Sequence, residues 1–132
     1  MEFTPAMSVK ILKIDTEHKK LISLTDTLDK AMKEGKGKDV ITKVLDELLT
    51  YTKTHFKGEE EMMAKYSYPG IDEQKQQHTT FVNKIAELQT KYKAGNTMIS
   101  VDAIGFLNKW IVNHIQKIDM KYSTFFNEKG VR

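Results

Sequence analysis

His55 and Glu59 stand four residues apart in the run His55-Phe56-Lys57-Gly58-Glu59-Glu60-Glu61-Met62. On an α-helix that spacing stacks an imidazole and a carboxylate on one face. Met62, seven residues on from His55, falls on the same face and is expected in the core, with Glu60 and Glu61 turned toward water. An inward carboxylate is costly unless something pairs with it, and a metal ion can do so. His18, His78 and His114 also lie within apolar stripes. Ile14 and Ile22 flank His18; Ile71, Val82 and Ile85 share a face with His78; Leu107, Trp110 and Ile118 share one with His114. Taken singly, each is an ordinary core or boundary histidine. Four of them on inward faces point to a shared site, because facing helices of a bundle build metal sites in its core. Asp119 follows His114 by five residues, about 140° round an ideal helix. Alone it reads as a surface acid; it reaches the site only across a helix boundary or through a local bulge. Imidazoles and carboxylates without thiolates suit iron, manganese or zinc. Two bridging carboxylates would favour a two-metal centre over a single ion.

The elements that must position these groups are legible from the breaks. Gly35-Lys36-Gly37-Lys38, Ser67-Tyr68-Pro69-Gly70 and Lys93-Ala94-Gly95-Asn96 interrupt the chain. Between them, apolar residues recur three and four apart. The spacing predicts helices over roughly 16–33 (Leu21, Ile22, Leu28, Met32), 39–65 (Ile41, Val44, Leu45, Leu48, Phe56, Met62), 71–93 (Phe81, Val82, Ile85, Leu88) and 98–127 (Leu107, Trp110, Ile111, Ile118, Phe125). Short connections make neighbouring helices antiparallel. The expected architecture is all-α: one domain over 1–132, an up-down-up-down four-helix bundle over 16–127, and an N-terminal arm over 1–15 whose Phe3, Met7, Val9, Ile11 and Ile14 lie along it. Each helix then carries one histidine, and antiparallel packing places all four near one end of the bundle.

Composition narrows the chemistry. The 132 residues include no Cys, which excludes disulfides, Fe–S clusters and a thiolate nucleophile, and suits a reducing cytoplasm. Neither a signal peptide nor a membrane-spanning apolar run is present in the sequence. The net charge is +3 with 30% charged residues of both signs interspersed. That is a solvated surface rather than a basic stripe, so neither nucleic acid nor a membrane is an expected partner. No Ser/His/Asp set, P-loop or dinucleotide fingerprint competes.

The ordered set resembles the hemerythrins, specifically the bacterial single-domain proteins. His55-Phe56…Glu59-Glu60…Met63…Tyr66…Tyr68-Pro69 is the most specific block. His78-Thr79-Thr80-Phe81, His114-Ile115…Asp119…Tyr122 and the arm Phe3…Ser8-Val9…Ile14-Asp15-Thr16-Glu17-His18 complete it over nearly the whole chain. The family usually carries Trp where Phe3 stands and Gly where Lys10 stands. The resemblance implies a non-heme di-iron centre with an oxo or hydroxo bridge that binds O2 or another small diatomic ligand. Carried over by position, His18 and His55 would hold the iron that takes O2, His78 and His114 the other, and Glu59 and Asp119 would bridge. Trp110 and Ile111 match positions that line the O2 pocket. One position departs: the family has a fifth histidine four residues before His78, where this chain has Gln74. Gln74 still lies on the ligand face, but an amide oxygen is a neutral and weaker ligand than imidazole. The second iron would then bind loosely, or both irons would keep an open position, or Gln74 is an introduced substitution.

Three functions remain open at this point. The first is a di-iron protein for O2 carriage, storage or sensing. The second is a di-iron redox enzyme reducing peroxide, NO or O2 at an open position, which Gln74 favours. Against it, the Glu-x-x-His pattern of ferritin-like oxidases is absent. The third is a bundle with a degraded or different metal site that acts through partners. The retained register of His18, His55, Glu59, His78, His114 and Asp119 counts against that reading.

Overall fold

A computed structural model describes residues 3–95 and 101–132, and the side chains of all these except 101 and 102. The described residues are all helical or connecting. After a short 3-10 turn at Pro5–Met7 come α1 (Leu12–Lys33), α2 (Lys38–Lys65) and α3 (Ile71–Lys93). A fourth rod follows, built from α4 (Val101–Asn113), a π-helical turn (His114–Asp119) and α5 (Met120–Glu128). α2 packs between α1 and α3, and α1 closes onto α4. This is the expected four-helix bundle. The expected start of the fourth helix at Met98, and Asn96 in the break before it, lie outside the described residues.

The apolar stripes bury as two clusters. The larger gathers Leu21, Leu28, Leu45, Leu48, Phe81, Ile85, Leu107 and Ile111, all nearly inaccessible. The smaller gathers Val9, Ile11, Ile14, Met63, Tyr68, Tyr122 and Phe126. The histidines lie where the two clusters meet, so the expected position near one end needs refining: the smaller cluster closes that end. Met63, not Met62, is the buried methionine of α2. The α2–α3 turn brings Tyr68 back onto the small cluster, and Met63 fills the space beneath it; Met62 is only half-buried.

α1 begins at Leu12 rather than near Thr16, so the arm ends at Ile11 and Ile14 belongs to the helix. The cause is Asp15. Its carboxylate accepts from the Ser8 hydroxyl at 2.6 Å and the Val9 amide at 2.9 Å, which turns the arm onto the helix start. The Ser123 hydroxyl donates to the Val9 carbonyl at 2.7 Å and pins the arm to α5. Thr16 falls within the first turns of α1 on its exposed side, its hydroxyl bonding back to the Leu12 carbonyl.

Lys10, at the bend of the arm, has φ +58°. A side chain in that left-handed region costs roughly 1–2 kcal/mol, which glycine avoids. Lys10 is exposed; its backbone N–H donates to the Ser8 hydroxyl and its carbonyl accepts from Asn127 Nδ2, and a glycine keeps both. Lys10→Gly is expected to raise unfolding stability by about 1 kcal/mol, read as a higher urea midpoint with an unchanged slope. A lower midpoint would contradict the assigned backbone conformation.

Candidate metal centre

α1, α2, α3 and the fourth rod each deliver one imidazole to the same depth. His18, His55, His78 and His114 are all at 3% exposure or less, as are Glu59, Asp119 and Gln74. They assemble into two groups, His18–His55–Glu59 and His78–His114–Asp119. Within each, one donor atom per residue lies within 4.8 Å of the others. The His18 and His55 rings are 4.9 Å apart and the His78 and His114 rings 5.0 Å apart.

Each carboxylate touches both groups. Glu59 Oε1 is 3.1 Å from His55 Nε2 and 3.5 Å from His78 Nε2, and its Oε2 is 3.7 Å from His18 Nε2. Asp119 Oδ2 is 3.2 Å from His18 Nε2 and its Oδ1 is 3.0 Å from His114 Nε2. Asp119 reaches inward because the chain forms a π turn from His114 to Asp119. A π turn widens the helix by nearly one residue per turn, so positions five apart fall almost in line. The bulge left open by the sequence is therefore present, at the residues that require it.

Two further acids fix the imidazoles, and the sequence reading missed both. Glu17 accepts from His55 Nδ1 at 2.7 Å, and Glu60 accepts from His78 Nδ1 at 2.8 Å. Glu60 was expected to face water; its carboxylate instead bends from the edge of α2 across to α3. The only signal available was its place beside Glu59, about 100° round the helix, where the α2–α3 boundary passes. When the ring is neutral, as a metal ligand must be, a proton held on Nδ1 leaves the lone pair on Nε2, the atom that faces the cluster. The Tyr122 hydroxyl donates to Glu59 Oε2 at 2.5 Å. Gln74 Nε2 donates to Asp119 Oδ1 at 3.0 Å. Phe56 stacks on His78 at 3.7 Å, and Trp110 stacks on His114 at 4.4 Å and on Phe81 at 4.3 Å. Trp110 is thus in direct contact with the cluster, while Ile111 lies in the large apolar core.

The electrostatics are those of a site built for positive charge. Burial pulls the His18 imidazole down, but Asp119 and Glu59 override it and raise it to about 9. Burial likewise lowers His55, and Glu59 with Glu17 carries it up to about 10. Burial would raise Glu59, yet His55 and His18 hold it well below the usual carboxylate range. Burial and the Glu59 charge raise Asp119, but His114 and His18 more than offset them. His78 goes the other way: burial and the neighbouring His114 lower it despite Glu59 and Glu60.

The donor set fits a metal. His55 Nδ1 is committed to Glu17, so His55 Nε2 is the atom that faces Glu59 Oε1, at 3.1 Å. Neither atom has a hydrogen-bond partner, nor do the buried Asp119 Oδ2 and Gln74 Oε1. An imidazole nitrogen and a carboxylate oxygen facing each other need positive charge between them, a proton on the ring in the metal-free chain or a metal ion in its place.

The comparisons with known proteins agree with this geometry. A family model described as the hemerythrin HHE cation binding domain matches residues 9–126. The chain is 35% identical over 108 residues to a bacteriohemerythrin of Methylococcus capsulatus, covering 82% of each chain. It is 31% identical over 117 residues to a bacteriohemerythrin of Stenotrophomonas maltophilia, covering 89% of this chain and 75% of that one. A solved structure of wild-type hemerythrin aligns with a TM-score of 0.85 at 33% identity, over 94% of this chain and 95% of that one. With its fold, its cation-binding residue types and its sequence all in accord, the chain belongs to the hemerythrin family.

Proposed function

We propose that the chain is a non-heme di-iron protein that binds O2 reversibly, for carriage, storage or sensing. His18 and His55 hold one iron and His78 and His114 the other, with Glu59 and Asp119 shared between them. The single observation that carries this reading is the His55–Glu59 contact: a buried imidazole nitrogen and a carboxylate oxygen 3.1 Å apart, neither of them in a hydrogen bond. When bound, a pair of ferrous ions supplies the electrons that let O2 attach and leave.

The rest is the work of the chain. Glu17 and Glu60 orient His55 and His78 and keep their Nδ1 protons. Such outer partners typically strengthen metal affinity about 10–100-fold. Tyr122 fixes the orientation of Glu59 from the small-cluster side. Phe56 and Trp110 lie flat against His78 and His114 and keep water off their faces. Trp110 and Ile111 form the apolar wall that retains a bound diatomic ligand.

Gln74 favours a second reading, a redox enzyme turning over peroxide, NO or O2, because its head is bonded to Asp119 and leaves a coordination position free. Metal analysis with optical spectra before and after O2 separates the two. Two irons per chain and a band that O2 creates and deoxygenation removes are expected. Irreversible bleaching with steady peroxide or NO consumption would establish the enzyme, and one iron or none would overturn both.

Proton linkage gives an independent check. His18 and His55 rise from 6.5 to about 9 and about 10 in the metal-free chain. Groups raised on folding stabilise fully below their unfolded pKa and lose that contribution as pH climbs through the folded value. The urea midpoint of the metal-free chain should therefore fall between pH 7 and pH 10. Metal ligation needs both imidazoles neutral, so zinc loading at pH 7 should release about two protons per chain. Calorimetry in buffers of different ionisation enthalpy reads that release. A flat midpoint with no proton release would contradict the pairing.

A further inference from the structure

Each half of the centre offers two imidazoles and a carboxylate, His18–His55–Glu59 and His78–His114–Asp119. A two-histidine, one-carboxylate set on non-heme iron leaves coordination positions open. In the second half the neighbouring polar group is the Gln74 head, wholly buried on α3 one turn before His78. A carboxylate only accepts hydrogen bonds, so the amide nitrogen must face Asp119 Oδ1, where it lies at 3.0 Å. Held as it is, Gln74 keeps one N–H to spare and a buried carbonyl oxygen without a partner. The spare N–H equips this head to steady a small ligand bound beside it.

The surroundings agree on the sign of that molecule. His78 lines a surface cleft between α2 and α3 whose rim carries Lys53, Lys57 and Lys75. His114 lines a second cleft, between α3 and the fourth rod, with Lys109 and Lys117 on its rim. Glu60 and Glu61 also line the first cleft, but the Glu60 carboxylate is engaged with His78.

We propose that Gln74 makes the His78–His114–Asp119 half a second ligand position, taking a small monoanion that the spare amide N–H steadies, in addition to any ligand on the His18–His55–Glu59 half. This rests on the di-iron reading above, so the test counts metals first and ligands second. The chain loaded with iron and oxidised is titrated with azide, following its charge-transfer absorption and the heat of binding. Two azides per two-iron centre are expected. Gln74→His, which fills the position with an imidazole, should keep two irons and bind one azide. Gln74→Ala should keep two irons and bind two azides, the second about tenfold more weakly, a loss of the size outer-sphere contacts produce.

Two irons and one azide in the parent chain would overturn this inference while leaving the di-iron reading intact. So would an unweakened second azide in Gln74→Ala. One iron in the parent and two in Gln74→His would overturn it as well, because Gln74 would then cost the chain its metal. Fewer than two irons in all three chains would instead overturn the di-iron reading, and this inference with it.

Discussion

Two carboxylates, Glu59 and Asp119, are fully enclosed between four imidazoles, and everything else in the molecule answers to that. An isolated anion at such depth is prohibitively expensive. The protein lowers the cost by surrounding both with nitrogen atoms from four separate helical rods, so no single element can leave without exposing the charge. In the metal-free state His18 and His55 supply the compensation as imidazolium groups, each held protonated by its acidic neighbours. Protons and metal ions thus compete for the same potential. The bundle is not a container into which a centre is placed; the centre's charge balance is part of what makes the four rods pack at this separation.

The apolar structure is divided accordingly. The large cluster fills the bundle beyond the imidazoles, and the small one closes the near end with Tyr68, Tyr122 and Phe126. That closure would fail without the arm. Val9 and Ile11 are too few to fold alone, and they are secured by hydrogen bonds at both ends, to Asp15 on α1 and from Ser123 on α5. Tyr122 links the two layers. Its ring belongs to the small cluster and its hydroxyl holds Glu59, so loosening of the end cap would reach the carboxylate directly.

Much of this was legible in the sequence because it follows from periodicity. The four rods, the turns at Gly35 and Pro69, and the inward set His18, His55, Glu59, His78 and His114 all lie on stripes of helical spacing. What escaped was set by contacts between elements. Glu60 looks like a solvated acid until α3 is placed beside α2 and gives it His78. Glu17 needs α2 for the same reason. Met63 replaces Met62 because the following turn folds Tyr68 back over it. The start of α1 moves to Leu12 because Asp15 binds a stretch of chain six and seven residues upstream. Asp119 is the instructive intermediate: the angle of an ordinary helix excludes it, and only a change of helix type admits it.

That change of type has a consequence for how the fourth rod tolerates alteration. The π turn amounts to one residue more than an α-helix would use between His114 and Asp119. Ordinary α winding over the same residues would swing all that follows by roughly 100°. Asp119, Tyr122, Ser123 and Phe126 would rotate off the interior together, taking the carboxylate, its tyrosine clasp, the arm's anchor and the end cap with them. The supernumerary residue is thus absorbed by the wide turn, and the winding of that turn sets the phase of the last third of the rod; with one residue fewer, ordinary α winding would present the same faces.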